Sequence, residues 1–330
     1  MKRPVVLLMA IALGAAGWFF LQHFDVHGLD AVRIRPKESG SSPAPVWQWM
    51  DRSAKTLVQP VSSSSRGRLR IAAWDLDSLA VQSGMDETIE ALFARVVRQF
   101  DLLALQGLKS VPRGILLRLA DAASDGNQKY AVIFAPAGGS QLAFIINTST
   151  VVCDPDSVYT VVDPDQLLTQ DALVGWFRAA NSSKETAFTF SVVNFYVDPA
   201  HREREIGVIQ QTVFSVQDDG RHEDDVILCG NLQTDPESLP ALLRSPKLMS
   251  LISGVPTDVQ LKTKTCNMIV DRDATVEYQG EAGTFDFLRH FNLSLEEATR
   301  LSPYVPVWAD FQLIEGTAHH GLSQSPQASR

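Results

Sequence analysis

Phe188-Thr189-Phe190-Ser191-Val192-Val193-Asn194-Phe195-Tyr196-Val197-Asp198-Pro199 runs from a β-branched and aromatic segment directly into a proline. That composition favours a long strand over 187–196. Pro199 suits the first turn of a helix, and Ile206, Ile209, Val213 and Val216 behind it are spaced to face a sheet. Asp225-Val226-Ile227-Leu228-Cys229 then reads as a buried strand. Upstream, 69–74 is a strand, and Ile89, Leu92, Phe93, Val96, Val97 and Phe100 mark an amphipathic helix. A strand over 101–106, a helix near 111–123 and strands over 129–134 and 141–146 follow. Downstream, the pattern predicts a helix over 236–243, a strand over 265–270, short helices over 285–290 and 294–299, and a closing strand over 305–313. Alternation of this kind is α/β.

The whole chain has 330 residues, 45% of them hydrophobic and 20% charged, enough for a sizeable core. With 29 Lys plus Arg against 38 Asp plus Glu, the net charge is −9, which works against a broad nucleic-acid-binding surface. Nucleic acid is therefore not an expected partner. Cys153, Cys229 and Cys266 are too few and too far apart for a disulfide framework or a C-x-x-C metal knuckle.

After Lys2 and Arg3, residues 4–21 (PVVLLMAIALGAAGWFFL) carry no charge and, as a helix, measure about 27 Å, enough to cross a bilayer once. The basic residues before the run and Trp18, Phe19 and Phe20 near its end orient the body towards the extracytoplasmic, periplasmic side. The expectation is a transmembrane anchor over 1–24 and a bacterial-envelope location. Gly14, Ala15, Ala16 and Gly17 leave open a cleaved signal and secretion. Residues 25–67, rich in Ser and Pro, read as a flexible linker whose Trp47 and Trp49 could engage the membrane or an envelope protein partner. Residues 315–330, with His319 and His320, read as a disordered tail.

Five strand-to-loop junctions carry a shared frame: Ile71-Ala72-Ala73-Trp74-Asp75-Leu76, Asp101-Leu102-Leu103-Ala104-Leu105-Gln106-Gly107, the stretch ending Asn194-Phe195-Tyr196-Val197-Asp198-Pro199, Cys229-Gly230-Asn231-Leu232-Gln233, and Ser302-Pro303-Tyr304-Val305-Pro306-Val307. In this order and spacing they resemble the endonuclease/exonuclease/phosphatase superfamily, to which pancreatic deoxyribonuclease belongs. The resemblance spans residues 68–314. It implies a four-layer sandwich, two packed mixed β-sheets flanked by helices, with the site at the loop ends of the strands. It also implies metal-dependent phosphodiester hydrolysis, which needs a divalent cation held by carboxylates and a His–Asp pair that activates water.

Against that pattern the chemical groups are replaced. The family's first-strand Asn is Asp75, and the metal-binding Glu is Gly107. The catalytic His falls on Tyr196, although Asp198, Pro199 and the later Glu205 remain. The Asp and Asn of the G-D-x-N motif become Asn231 and Gln233, and the Tyr and Asp of the next strand become Thr265 and Cys266. The final Asp–His pair becomes Pro303 and Tyr304. The resemblance therefore implies a kept fold with abandoned chemistry, a pseudoenzyme that acts by binding and needs no cofactor. The alternative is a Mg2+-dependent phosphodiesterase or endonuclease with a rearranged site built from Asp75, Asp77 or Asp271. A third reading is a scaffold without a ligand.

Cys266 has no imidazole at the mapped positions to activate it. Cys229 and Cys266 are either two buried thiols or, in an oxidising compartment, one bridge. Asp75 is a cleft carboxylate or an acceptor of backbone hydrogen bonds. His201, His222, Arg202, Arg204 and Arg221 are a solvated face or, for the arginines, a phosphate clamp.

Overall fold

The computed structural model describes residues 67–77, 86–109, 111–136, 141–180, 182–243 and 245–316. The anchor over 1–24, nearly all of the linker over 25–67 and the tail beyond residue 316 lie outside them. No helix among the described residues is long and apolar enough to cross a membrane.

Two sheets form the body. The first has six strands: β1 (Leu69–Asp75), β2 (Leu102–Gln106), β3 (Tyr130–Phe134), β4 (Ala143–Asn147), β12 (Tyr278–Thr284) and β13 (Val307–Phe311), in the order β12-β13-β1-β2-β4-β3. The second contains β5 (Val151–Cys153), β7 (Leu173–Ala179), β8 (Thr189–Tyr196), β9 (Val226–Asn231), β10 (Leu248–Ser250) and β11 (Cys266–Asp271), in the order β10-β11-β9-β8-β7-β5, with β6 (Tyr159–Thr160) beside β7. Each sheet has one parallel pair, β1 with β2 and β8 with β9, among antiparallel neighbours. Both sheets are therefore mixed.

The period of two along each strand sorts the side chains. Ile71, Ala73, Leu102, Ala104, Val192, Ile227, Cys229, Cys266, Met268 and Ala309 point between the sheets and form one core with stacked Phe177, Phe188 and Phe190. Trp74 points outward onto Phe93 of helix α1 (Glu87–Val97), and helix α2 (Arg113–Ala123) packs beside α1. On the outer face of the second sheet, Val193, Phe195 and Leu228 meet Ile206 of α3 (Arg202–Ile206) and Ile209, Val213 and Val216 of α4 (Ile209–Gln217). Helix, sheet, sheet, helix makes the sandwich. Asp86 caps α1 by accepting the Ile89 N–H at 3.0 Å, and a Ser294–Glu297 capping box starts α7 (Leu295–Leu301), which follows α5 (Leu239–Leu243) and α6 (Phe287–His290).

The structure corrects two expectations. The helix expected from Pro199 is two helices that break at Gly207-Val208, and Pro199 lies in the turn before them, where Asp198 Oδ1 accepts the Ala200 N–H at 2.7 Å. The sequence pattern also passes over β7, where Gly175 interrupts the apolar run, because a Cβ there would collide with the Phe177 ring.

Candidate functional site

The inner parallel pairs carry their C-terminal ends to the same end of the sandwich, which brings Asp75, Gln106, Gly107, Tyr196 and Asn231 together. Antiparallel β11 starts at that end, so Cys266 stands opposite Asn231. The segment before β13 returns Pro303 and Tyr304 to the same place: Trp74 Nε1 donates to the Tyr304 carbonyl at 2.9 Å, and the Pro303 carbonyl accepts the Val259 N–H at 2.9 Å. The substituted positions read from the sequence therefore converge, with Gln233 joined through its N–H to Asn231 Oδ1 at 3.2 Å.

Asp75 is the centre. It is 2% exposed, and both carboxylate oxygens are engaged: Oδ2 by Asn231 Nδ2 at 2.8 Å and Oδ1 by the Asp77 N–H at 2.9 Å. Burial pushes its carboxyl up to about 6 against the opposing pull of those two bonds. Ser302 Oγ donates to the Asp75 carbonyl at 2.7 Å and accepts the Tyr304 N–H at 2.9 Å, locking the loop before β13 against the end of β1. Asp75 thus accepts hydrogen bonds from one backbone amide and one side-chain amide.

Gly107 stands where no side chain fits. Its φ is +68°, and a Cβ would run into Asp75 Oδ1 and come within 2.6 Å of the Asp77 nitrogen. At Gly230, φ +149°, a Cβ would strike the Phe195 carbonyl, so the β8–β9 pair closes only over glycine. Tyr196 and Tyr304 are half-buried. Burial and the nearby Asp75 raise both phenols above their ordinary range.

Beneath these residues lies a polar pair that the sequence reading missed. Gln106 Nε2 donates to Asn194 Oδ1 at 2.7 Å across the two sheets, and Asn194 Nδ2 donates to the Leu105 and Ala143 carbonyls, each at 3.0 Å. The signal was present: Asn194 shares the inward register of Val192 and Tyr196, where an amide must find partners.

Other candidates fall elsewhere. Asp271 ends β11 at the far end from Cys266, where its Oδ1 accepts the Asp273 N–H, so it cannot join Asp75 and Asp77. Cys153, Cys229 and Cys266 are all unbridged. Burial raises the Cys266 thiol far above its usual range, with Asp75 adding to the shift, which disfavours the thiolate. Glu205 is fully buried: Oε1 accepts from the Thr169 N–H and hydroxyl, and Oε2 from the Asp198 N–H at 2.8 Å, so it braces the loop after β8. His201 is exposed, 3.6 Å from Asp198; Arg221 pairs with Asp219, and Arg202 and Arg204 are exposed.

The Mg2+ ion that the resemblance implies would find Asp75 and the exposed Asp77 as its nearest carboxylates here. Each Asp75 oxygen already accepts an N–H, the buried Asp258 beside Tyr304 accepts the Lys262 and Thr263 N–H groups, and Gly107 has no room for a side chain.

No protein-family model matches the chain. Among curated proteins it is 25% identical over 256 residues to deoxyribonuclease-1-like 1 of Sus scrofa, an alignment covering 72% of this chain and 79% of that protein. Among solved structures, an endonuclease/exonuclease/phosphatase from Bacteroides vulgatus superposes with a TM-score of 0.52 at 12% identity, over 74% of this chain and 99% of that one. The D. rerio TDP2 structure, complexed with a single-strand DNA product, gives 0.50 at 11% identity, over 74% and 98%. The domain has the endonuclease/exonuclease/phosphatase fold, and the chain resembles the deoxyribonuclease-like proteins of that superfamily.

Proposed function

We propose that the protein is a membrane-anchored pseudoenzyme of this fold that acts by binding rather than by hydrolysis. The observation that carries the reading is Asp75: the buried carboxylate at the heart of the former cleft is held by Asn231 and the Asp77 N–H, while Gly107 shuts out the second carboxylate a cation would need. The half-buried Tyr196 and Tyr304 and the exposed Asp77 shape the surface above it. The uncharged run over 4–21 supports an anchor that sets the domain on the extracytoplasmic side, where an envelope protein is the expected partner.

A second reading has one observation in its favour. A carboxyl raised to about 6 is suited to proton transfer, and Asp77 stands beside it, so a metal-assisted phosphodiesterase would use this pair. The full chain, incubated with a chromogenic phosphodiester and Mg2+ or Mn2+, decides between them. Turnover indistinguishable from that of Asp75→Asn supports the pseudoenzyme; divalent-dependent turnover lost in Asp75→Asn establishes the enzyme. For the anchor, the full chain should sediment with membranes and be released by detergent but not by high salt. Release by salt alone would remove the anchor from the proposal.

A further inference from the structure

The end of the sandwich opposite Asp75 gathers acids from three distant parts of the chain. Asp225 precedes β9, Glu277 precedes β12, and Glu315 follows β13, and one carboxylate oxygen from each lies within 4.8 Å of the others. Asp225 and Glu277 are 3% and 1% exposed, whereas Glu315 reaches the surface.

Their other oxygens are held in place by the chain. Glu277 Oε1 accepts the Gly316 N–H, and Glu315 Oε2 accepts the Thr189 N–H at 3.0 Å. Glu223 beside them is fully engaged, by Trp176 Nε1 at 2.9 Å and by the Asp225 N–H at 3.1 Å. What remains are Asp225 Oδ1, Glu277 Oε2 and the Thr275 hydroxyl, all buried and without a hydrogen-bond partner, with Thr275 close enough to draw the Asp225 carboxyl down. Among the described residues, no Lys, Arg or His forms an ion pair with any of the four acids. Buried carboxylates without partners are costly, and a cation removes that cost most directly. Burial and mutual repulsion raise the Asp225 carboxyl well above the usual range and Glu315 to about 7, as expected where acids crowd one another.

We propose that Asp225, Glu277 and Glu315 form a divalent-cation site that takes calcium in preference to magnesium and ties the second sheet, through β9, to β12 and β13 of the first. Calcium accepts several carboxylate oxygens directly in an adaptable shell, whereas magnesium keeps most of its waters, for which the burial of Asp225 and Glu277 leaves little room. The site is separate from the former cleft and independent of whether that cleft is active.

Trp176, bonded to Glu223, supplies the readout, because an excited indole sensitises terbium, a calcium mimic. The full chain, stripped with chelator, should show saturable terbium emission on tryptophan excitation, displaced by Ca2+ at least about tenfold more effectively than by Mg2+. Its unfolding midpoint should rise by roughly 3–6 °C once free Ca2+ is about tenfold above its Kd. Asp225→Asn combined with Glu277→Gln should abolish both responses while keeping a midpoint in chelator at or above that of the wild type, which separates lost binding from lost folding. The exposed Glu315→Gln should weaken Ca2+ about tenfold. Absence of saturable emission and of a Ca2+ shift in the wild type, or survival of both in the double variant, overturns the site. Equal displacement by Mg2+ overturns the preference for calcium.

Discussion

At the Asp75 end of the sandwich a buried carboxylate accepts two amide N–H groups; at the Asp225 end three carboxylates face one another. Both clusters contain buried carboxylates and both bridge the two sheets, so location alone does not distinguish them. Donor supply does. Asn231, Asp77 and Asn194 bring N–H groups to the first end, so its carboxylate and amides find partners, with Gln106 Oε1 and Thr265 Oγ1 left over. The second end spends its N–H donors on one oxygen of each glutamate and leaves buried negative charge facing inward. Negative charge at a strand end is therefore a poor guide to a cation site until the donors around it have been counted.

The contrast is most strongly tested at Asn194. Asn194→Leu keeps the volume but leaves Gln106 Nε2 with the Ala104 carbonyl alone and takes the amide donor from the Leu105 and Ala143 carbonyls, and is expected to cost about 3–4 kcal/mol in urea unfolding. A loss below about 1 kcal/mol would show that the network is not what holds that end together.

Next in size is the pH dependence of Asp75. Its folded carboxyl is raised from 3.8 to about 6, so the folded state binds more protons than the unfolded state between those values. Stability must therefore climb as pH falls from about 6 towards 4, by about 3 kcal/mol from this group, and the penalty is fully present above pH 6. Asp75→Asn should flatten that part of the profile whatever its absolute stability. A profile parallel to the wild type would place the proton elsewhere.

The smallest effect has the opposite sign. Glu277→Gln keeps an acceptor for the Gly316 N–H and offers a donor towards Asp225, so in chelator near pH 8 it is expected to stabilise the domain by about 1 kcal/mol. Destabilisation there would mean that Glu277 already has a partner, and the two ends would no longer differ.

The strands were legible because their register is written in apolar residues. In β8, Phe190 and Val192 face one layer while Val193 and Phe195 face the other, and the same period runs through β1, β2, β9 and β11. The substituted cleft was legible because its positions lie at strand ends in fixed frames. Gly107 illustrates the limit: the sequence shows only a glycine where the resemblance implies a carboxylate, whereas the coordinates show that a side chain would collide with Asp75 and Asp77. Asp271 illustrates another, since a strand start and a strand end differ by the length of the strand. The Asp225 cluster was not legible at all. Its members come from separate segments, each beside a strand terminus where an acid is ordinarily solvated, and only the closed sandwich brings them together.

The placement of β13 has a consequence for how the protein is made. β1 lies between β2 and β13, and Leu69 is paired with Phe311, so the first strand of the domain has an open flank until almost the whole domain exists. Pairings of such sequence separation form slowly. A chain emerging from the ribosome must keep that edge from neighbouring chains until Val307–Phe311 arrives. Any truncation upstream of Val307 would leave a sticky intermediate rather than a smaller version of the same domain.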